Sequence, residues 1–188
     1  MAYDRLLRQL AASPQPTVTT LPDGSIDYYC TVASGTDGTD GAFETREAFG
    51  REMLGDRTSF RFEVNETEPG GQAVNAAKQL HALGGAVTCY GHLDATIFDS
   101  VPFETVSMGD PSIVYVFNFA DRDVMFVENV EVDEWTLEDL ERVGDLSAVF
   151  GGDAVCCSNW ISTPGLEDAF HRLGEADLPR VPFVFDPG

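Results

Sequence analysis

Gly70 and Gly71 stand side by side in front of a stretch whose small and apolar residues recur at helical spacing. Two glycines let a backbone come close to a ligand, and at a helix start they leave N–H groups exposed at its positive end. Such a place suits a polar or anionic small molecule. Gln72 follows directly, and Asn75 lies one turn in, where its amide can both donate to and accept from a ligand hydroxyl. A plain turn before a helix uses the same two glycines, so the pair alone leaves both readings open.

The elements that hold these residues are legible on either side. Gln72 to Leu83 sets Ala73, Ala76, Ala77, Leu80 and Leu83 at helical spacing, and Gly84-Gly85 tolerate the left-handed cap that ends a helix. Ala86 to Tyr90 (AVTCY) predicts a buried strand closed by Gly91. Upstream, Ser25 to Val32 predicts a strand, Ser34 to Gly41 a Gly/Asp/Thr loop, and Glu44 to Leu54 a short helix or loop. Ser59 to Asn65 alternates apolar and polar residues, as a half-exposed strand does. Downstream, Ser112 to Phe119 and Asp123 to Val130 predict a hairpin around Ala120-Asp121-Arg122. Thr136 opens a helix with a capping-box pattern, and Pro164 starts another at a position that favours proline. Asp153 to Ser158 and Pro182 to Asp186 predict strands. The second half thus alternates helix and strand, which predicts a parallel sheet with covering helices. The extra strands of the first half predict a separate small sheet beside that body.

Composition narrows the setting. The chain has 188 residues, 43% of them apolar, enough for a sizeable core. It carries 32 acidic residues against 11 basic ones, a formal net charge of −21, and Lys78 is its single lysine. Such an excess repels itself in dilute buffer, whereas 1 M salt shortens the screening length to about 3 Å. An acidic, lysine-poor surface therefore reads as that of a protein from a salty cytoplasm, with an ordinary acidic protein as the alternative. The same charge speaks against nucleic acid and anionic membrane as partners. No run approaches the roughly 20 apolar residues of a membrane helix. Met1 to Leu10 reads as a short amphipathic helix without the apolar stretch of a secretory signal, so a cytoplasmic location is expected. Cys30, Cys89, Cys156 and Cys157 show no zinc spacing and read as buried free thiols, the adjacent pair pointing to opposite faces of a strand.

The string PGGQAVNAAKQLHALGGAVTCYGHLD, residues 69–94, resembles the first signature of the PfkB/ribokinase-like carbohydrate kinases. Gly70, Gly71, Asn75, Leu83, Gly84 and Gly91 fall in the family's places. Gly24-Ser25-Ile26-Asp27 looks like the family's first strand with its hydroxyl-gripping Asp, and DAVCCSNW and FVFDPG look like the next two core strands. The resemblance covers roughly residues 20–188. It implies a ribokinase-like three-layer α/β body with a parallel sheet and a small β-sheet lid. The lid strands are expected near 28–33, 59–67 and 112–130. The whole of 1–188 then forms one partial domain, without a separate second domain, and the C-terminal part of the fold is missing.

The resemblance further implies a sugar held between sheet and lid by Asp27, Gly70, Gly71, Gln72 and Asn75. ATP and Mg²⁺ are expected for the complete enzyme, neither bound tightly by this chain, and the γ-phosphoryl passes to a sugar hydroxyl largely by positioning and electrostatics. A homodimer through the lid strands is compatible with it. No metal ligands are assigned. The family's Gly-Ala-Gly-Asp motif, with its catalytic base and anion hole, does not occur in the sequence, so the base is expected beyond residue 188 and the chain alone is expected to be inactive. The family Asp often stands two places later, where Tyr29 stands here, and the stretch between Gly91 and Pro102 is short enough that a helix of the common fold is reduced or lost.

Other residues weigh less. His92 follows a strand-end glycine and could approach the ligand, although a loop histidine without a role is the plainer reading. Asn159-Trp160 ends a strand where a ring could stack, against a Trp that simply packs. The acidic run Glu128 to Glu141 reads as a solvated face. Two further functions compete with a sugar kinase: a non-catalytic sugar-binding or regulatory module, and an unrelated acidic interaction domain.

Overall fold

The computed structural model describes residues 15–35 and 41–187. The helix expected over Met1 to Leu10, and residues 36–40 of the expected loop, lie outside the described residues. The chain forms two compact units. The first comprises the described residues through Ser25, then Pro69–Ser112, then Asn129 onward; the second comprises Ile26–Glu68 and Ile113–Glu128.

The first unit holds a five-stranded sheet in the order β5-β4-β1-β8-β9. Its strands are β1 (Thr17–Leu21), β4 (Ala86–Gly91), β5 (Glu104–Ser107), β8 (Ala154–Cys157) and β9 (Phe183–Phe185). Every pairing is parallel, with Thr20 opposite Cys89 on one side and Cys156 on the other. Parallel strands need crossovers, and helices supply most of them. Helix α2 (Gln72–Ala82) joins the region before β4 to that strand and packs on β1 and β4 with Ala73, Val74 and Ala77 buried. It ends before Gly84, whose φ of +95° is the left-handed cap that the sequence predicts. Helices α3 (Leu137–Val143), α4 (Leu146–Val149) and α5 (Leu166–Glu175) build the core cluster with Leu21, Val155 and Cys157. Side chains alternate along a strand, so Cys156 leaves the face that Cys157 occupies, as the adjacent pair predicts. All four cysteines are free thiols, and burial pushes Cys89 and Cys157 up to about 12.

Between β4 and β5 there is only a 3-10 turn, Thr96–Ser100, pinned by the buried Phe98. This is the reduced helix that the short stretch after Gly91 predicts. Thr136 forms the predicted capping box with Asp139 at the start of α3. Pro164 lies two residues before α5 rather than at its first position.

The second unit holds a four-stranded sheet in the order β3-β2-β6-β7. Its strands are β2 (Ser25–Val32), β3 (Phe62–Gly70), β6 (Ser112–Phe117) and β7 (Val124–Glu128), with β6 and β7 antiparallel as the hairpin pattern predicts. Helix α1 (Arg46–Met53) is capped by the Thr45 hydroxyl, which accepts from the Ala48 N–H. Apolar packing here is aromatic: Phe49 contacts Phe43, Phe60 and Phe119, and Phe117 contacts Phe62 and Phe126 edge-on. The Arg57 guanidinium lies 4.5 Å over the Phe60 ring.

Two sequence expectations need correction. Ser25 to Val32 is a strand as predicted, yet it is not the first strand of the parallel sheet; that place belongs to Thr17–Leu21. The chain breaks between them at a cis Leu21–Pro22 bond followed by Asp23-Gly24, and only then enters the second sheet. The strand expected over 59–65 instead runs Phe62–Gly70, so Gly70 ends a strand and Gly71 alone caps the helix.

Candidate functional site

In a parallel sheet the neighbours of the first strand decide where a crevice opens. From β1 the chain goes to β4 on one side, and later places β8 on the other. The carboxyl ends of β1 and β8 therefore flank a switch point, the usual ligand site of open α/β sheets. Two residues past β1 lies Asp23, and two residues past β8 lies Asn159.

Asp23 is 5% exposed, and its carboxylate ties three segments together. Oδ1 accepts from the Ala73 N–H at 2.8 Å, and Oδ2 accepts from the Gln72 N–H at 2.9 Å and from Asn159 Nδ2 at 3.0 Å. Gln72 Oε1 in turn accepts from the Asn159 N–H at 2.9 Å. Asn159 makes both contacts from a left-handed backbone, φ 62°, which asparagine tolerates better than most residues. Burial pushes the Asp23 carboxyl above the usual carboxylate range, and the three N–H donors hold it partly back.

Glycines allow this convergence. Gly71, the cap of α2, has φ +96°, and a Cβ there would sit 2.7 Å from Gly24 Cα. A Cβ on Gly24 would meet the His92 carbonyl oxygen at 2.5 Å. The helix start, the β1 exit and the β4 exit thus touch backbone to backbone, closer than any side chain permits.

Of the residues singled out in the sequence, Gly70, Gly71, Gln72 and Asn75 come together at this corner of the first unit. Their roles differ from the simplest expectation. The Gln72 and Ala73 N–H groups are not left open, because Asp23 takes both. Asn75 is exposed, and its backbone N–H closes the first helical turn on the Gly71 carbonyl at 2.9 Å. Its side chain has no hydrogen-bond partner among the described residues. Asp27 belongs to the second unit, on β2, partly buried on the face it shares with Tyr29. Burial first, and then Asp27, Glu68 and Glu66, raise the Tyr29 hydroxyl above its ordinary value.

The lesser candidates divide. Trp160 stacks on Phe170 at 5.6 Å and meets Phe185 edge-on, so it packs, while its neighbour Asn159 carries the polar network. The acidic run is used locally: Glu131 Oε2 accepts from the Asp110 N–H at 2.9 Å, and Arg172 pairs with Glu138 at 2.6 Å. Asp23 and the polar role of Asn159 are what sequence reasoning missed. An Asp in a Pro-Asp-Gly turn looks like ordinary turn chemistry, and nothing local announces partners so far along the chain.

His92 lies in the bend that follows β4 and is only 2% exposed, and its Nδ1 is buried without a partner among the described residues. Burial lowers its pKa from 6.5, opposed by the Pro22 carbonyl and by Glu131, Asp139 and Asp23. A histidine depressed in the folded state contributes its full stability above about pH 6.5 and loses it as pH falls below that value. Lowering the pH from 7.5 to 5.5 is expected to lower the melting temperature, with a His92 share of at most about 1.4 kcal/mol per pH unit. His92→Gln should flatten that slope relative to wild type. Equal slopes for the two proteins would show that His92 does not titrate on unfolding.

No protein-family model matches the sequence, and no curated protein matches it. Solved structures do match in fold. A ribokinase from Giardia lamblia superposes with a TM-score of 0.58 at 14% identity, over 93% of this chain and 51% of its own. The Escherichia coli phosphofructokinase-2 in complex with fructose-6-phosphate gives 0.56 at 17% identity, over 94% and 56%. A Methanocaldococcus jannaschii nucleoside kinase, an archaeal member of the ribokinase family, gives 0.55 at 13% identity, over 93% and 54%. The fold is therefore the ribokinase-like α/β fold, and the chain spans about half the length of these structures.

Proposed function

We propose that this chain is the substrate-binding part of a ribokinase-like phosphotransferase acting on a sugar, a related polyol or a nucleoside. The observation that carries the reading is Asn75. It is an exposed amide without a hydrogen-bond partner among the described residues, on the first turn of a helix anchored at the switch point of a sheet whose fold is that of sugar and nucleoside kinases. Gly70, Gly71 and Gln72 shape the backbone beside it, and Asp27 is proposed as a further hydroxyl-binding carboxylate.

ATP and Mg²⁺ belong to the proposal for the whole protein. Among the described residues no three His, Cys, Asp or Glu side chains are grouped to hold a metal ion, and no Gly-Ala-Gly-Asp string occurs. The described residues alone do not make up a site for these groups. The second reading is a sugar-binding or regulatory module without catalysis. No helix among the described residues is long and apolar enough to cross a membrane. A cytoplasmic setting, and a homodimer through the four-stranded sheet with its exposed Phe62, Val64, Met125 and Val127, complete the proposal.

Asn75→Ala is expected to weaken ligand binding by about 1–3 kcal/mol, the cost of leaving a buried hydroxyl without its partner. Its effect on folding should be a few tenths, since Ala is the better helix former. Calorimetric titration of D-ribose, D-fructose and adenosine, with thermal melting of the same variant, separates the two. Unchanged affinity with a large fall in melting temperature would make Asn75 structural and remove the pocket assignment.

A further inference from the structure

The start of α2 is the place where a helix most readily receives an anion. In this chain it already holds one. The Gln72 and Ala73 N–H groups donate to the two oxygens of Asp23, and the remaining close partner, Asn159 Nδ2, is another donor. Three donors favour the ionised form of this carboxyl, since a protonated oxygen would need an acceptor, and so oppose the burial that raises its pKa.

Among the described residues of this unit no lysine or arginine pairs with Asp23. In this unit Lys78 donates to the Pro69 carbonyl, Arg142 to the Met108 carbonyl and to Asp139, and Arg172 to Glu138 and Glu141. Arg180 lies beside α5 and β9. A second anion brought to the corner of Gly71, Gln72 and Asn75 would find the Gln72 and Ala73 N–H groups taken and a buried carboxylate behind them. Salt relieves a buried charge much less than an exposed one, so a salty medium leaves this repulsion largely in place.

We propose that Asp23 sets the charge of the ligand: the site takes an uncharged polyol or sugar and rejects its phosphorylated form. This rests on the reading of the corner as a sugar site, and it makes Asp23 a specificity-determining residue that acts by occupying the helix start.

Two titrations on the full chain test it. The first follows the Gln72 and Ala73 amide resonances while inorganic phosphate is added over the millimolar range. In wild type they should stay in place, and in Asp23→Gly they should shift and saturate. The second compares D-ribose with ribose 5-phosphate by calorimetry. Wild type should prefer the free sugar by at least about tenfold, a preference that shrinks in Asp23→Asn. If neither sugar binds, the sugar-site reading fails, and the phosphate titration still decides the role of Asp23. Shifts of the wild-type amides with phosphate would overturn the proposal, as would a variant as indifferent to phosphate as wild type. Should Asp23→Gly not fold, Asp23→Asn, which keeps the volume of the side chain, carries the phosphate titration.

Discussion

Replacing Gly71 with alanine is expected to lower the stability of the chain by about 2–5 kcal/mol, the sum of a left-handed backbone penalty and an overpacked contact. The backbone at Gly71 has φ +96°, which an L side chain rarely adopts. The new Cβ would lie 2.7 Å from Gly24 Cα and 3.0 Å from the Ser25 nitrogen, and both neighbours are backbone, unable to swing aside. Relief requires α2 to move away from the β1 exit, which lengthens the bonds from Gln72 and Ala73 to Asp23. The loss should appear as a fall in melting temperature of roughly 4–20 °C. Gly174→Ala is the matched control. That glycine sits in α5 with nothing within 4 Å of an added Cβ, so alanine there should be neutral or slightly stabilising. Equal melting temperatures for Gly71→Ala and wild type would mean that the cap is not held against Gly24.

The helix at this corner was legible because its cause is local. Small residues at helical spacing between Gly70-Gly71 and Gly84-Gly85 state where it begins, which face is buried and where it stops. The capping box at Thr136 and the hairpin of β6 and β7 were legible for the same reason. Strand β1 was not: TVTTL shows no alternation of apolar and polar residues, and three threonines resemble a polar connection, although four of its five residues are β-branched and suit a strand. With β1 unseen, Ser25–Val32 stood in for the first strand of the parallel sheet, and Asp27 took the attention that the structure gives to Asp23. The network itself lay beyond sequence reasoning. Asp23 meets Gln72 across 49 residues and Asn159 across 136, distances over which no spacing rule operates. Only the order of strands brings those three together.

Transfer from molar KCl to dilute buffer is expected to lower the melting temperature by about 10 °C or more, or to unfold the chain, since several kcal/mol of charge repulsion return when screening is removed. The formal charge is −21 with a single lysine, and Lys78 spends its ammonium on the Pro69 carbonyl rather than on a carboxylate. Among the described residues, the ion pairs that could offset the excess include Arg51 with Glu47, Arg142 with Asp139, and Arg172 with Glu138 and Glu141, all at the surface. Pairs of that kind contribute about 0–1 kcal/mol each, too little to balance the surplus of carboxylates. Circular dichroism melts along a dialysis series read the effect directly. Sucrose in place of KCl distinguishes its cause, because an excluded osmolyte strengthens burial without screening charge. Recovery with KCl but not with sucrose assigns the loss to repulsion. An unchanged cooperative melt in dilute buffer would mean that the acidic surface is tolerated without salt, and the salt-adapted reading of the composition would fall.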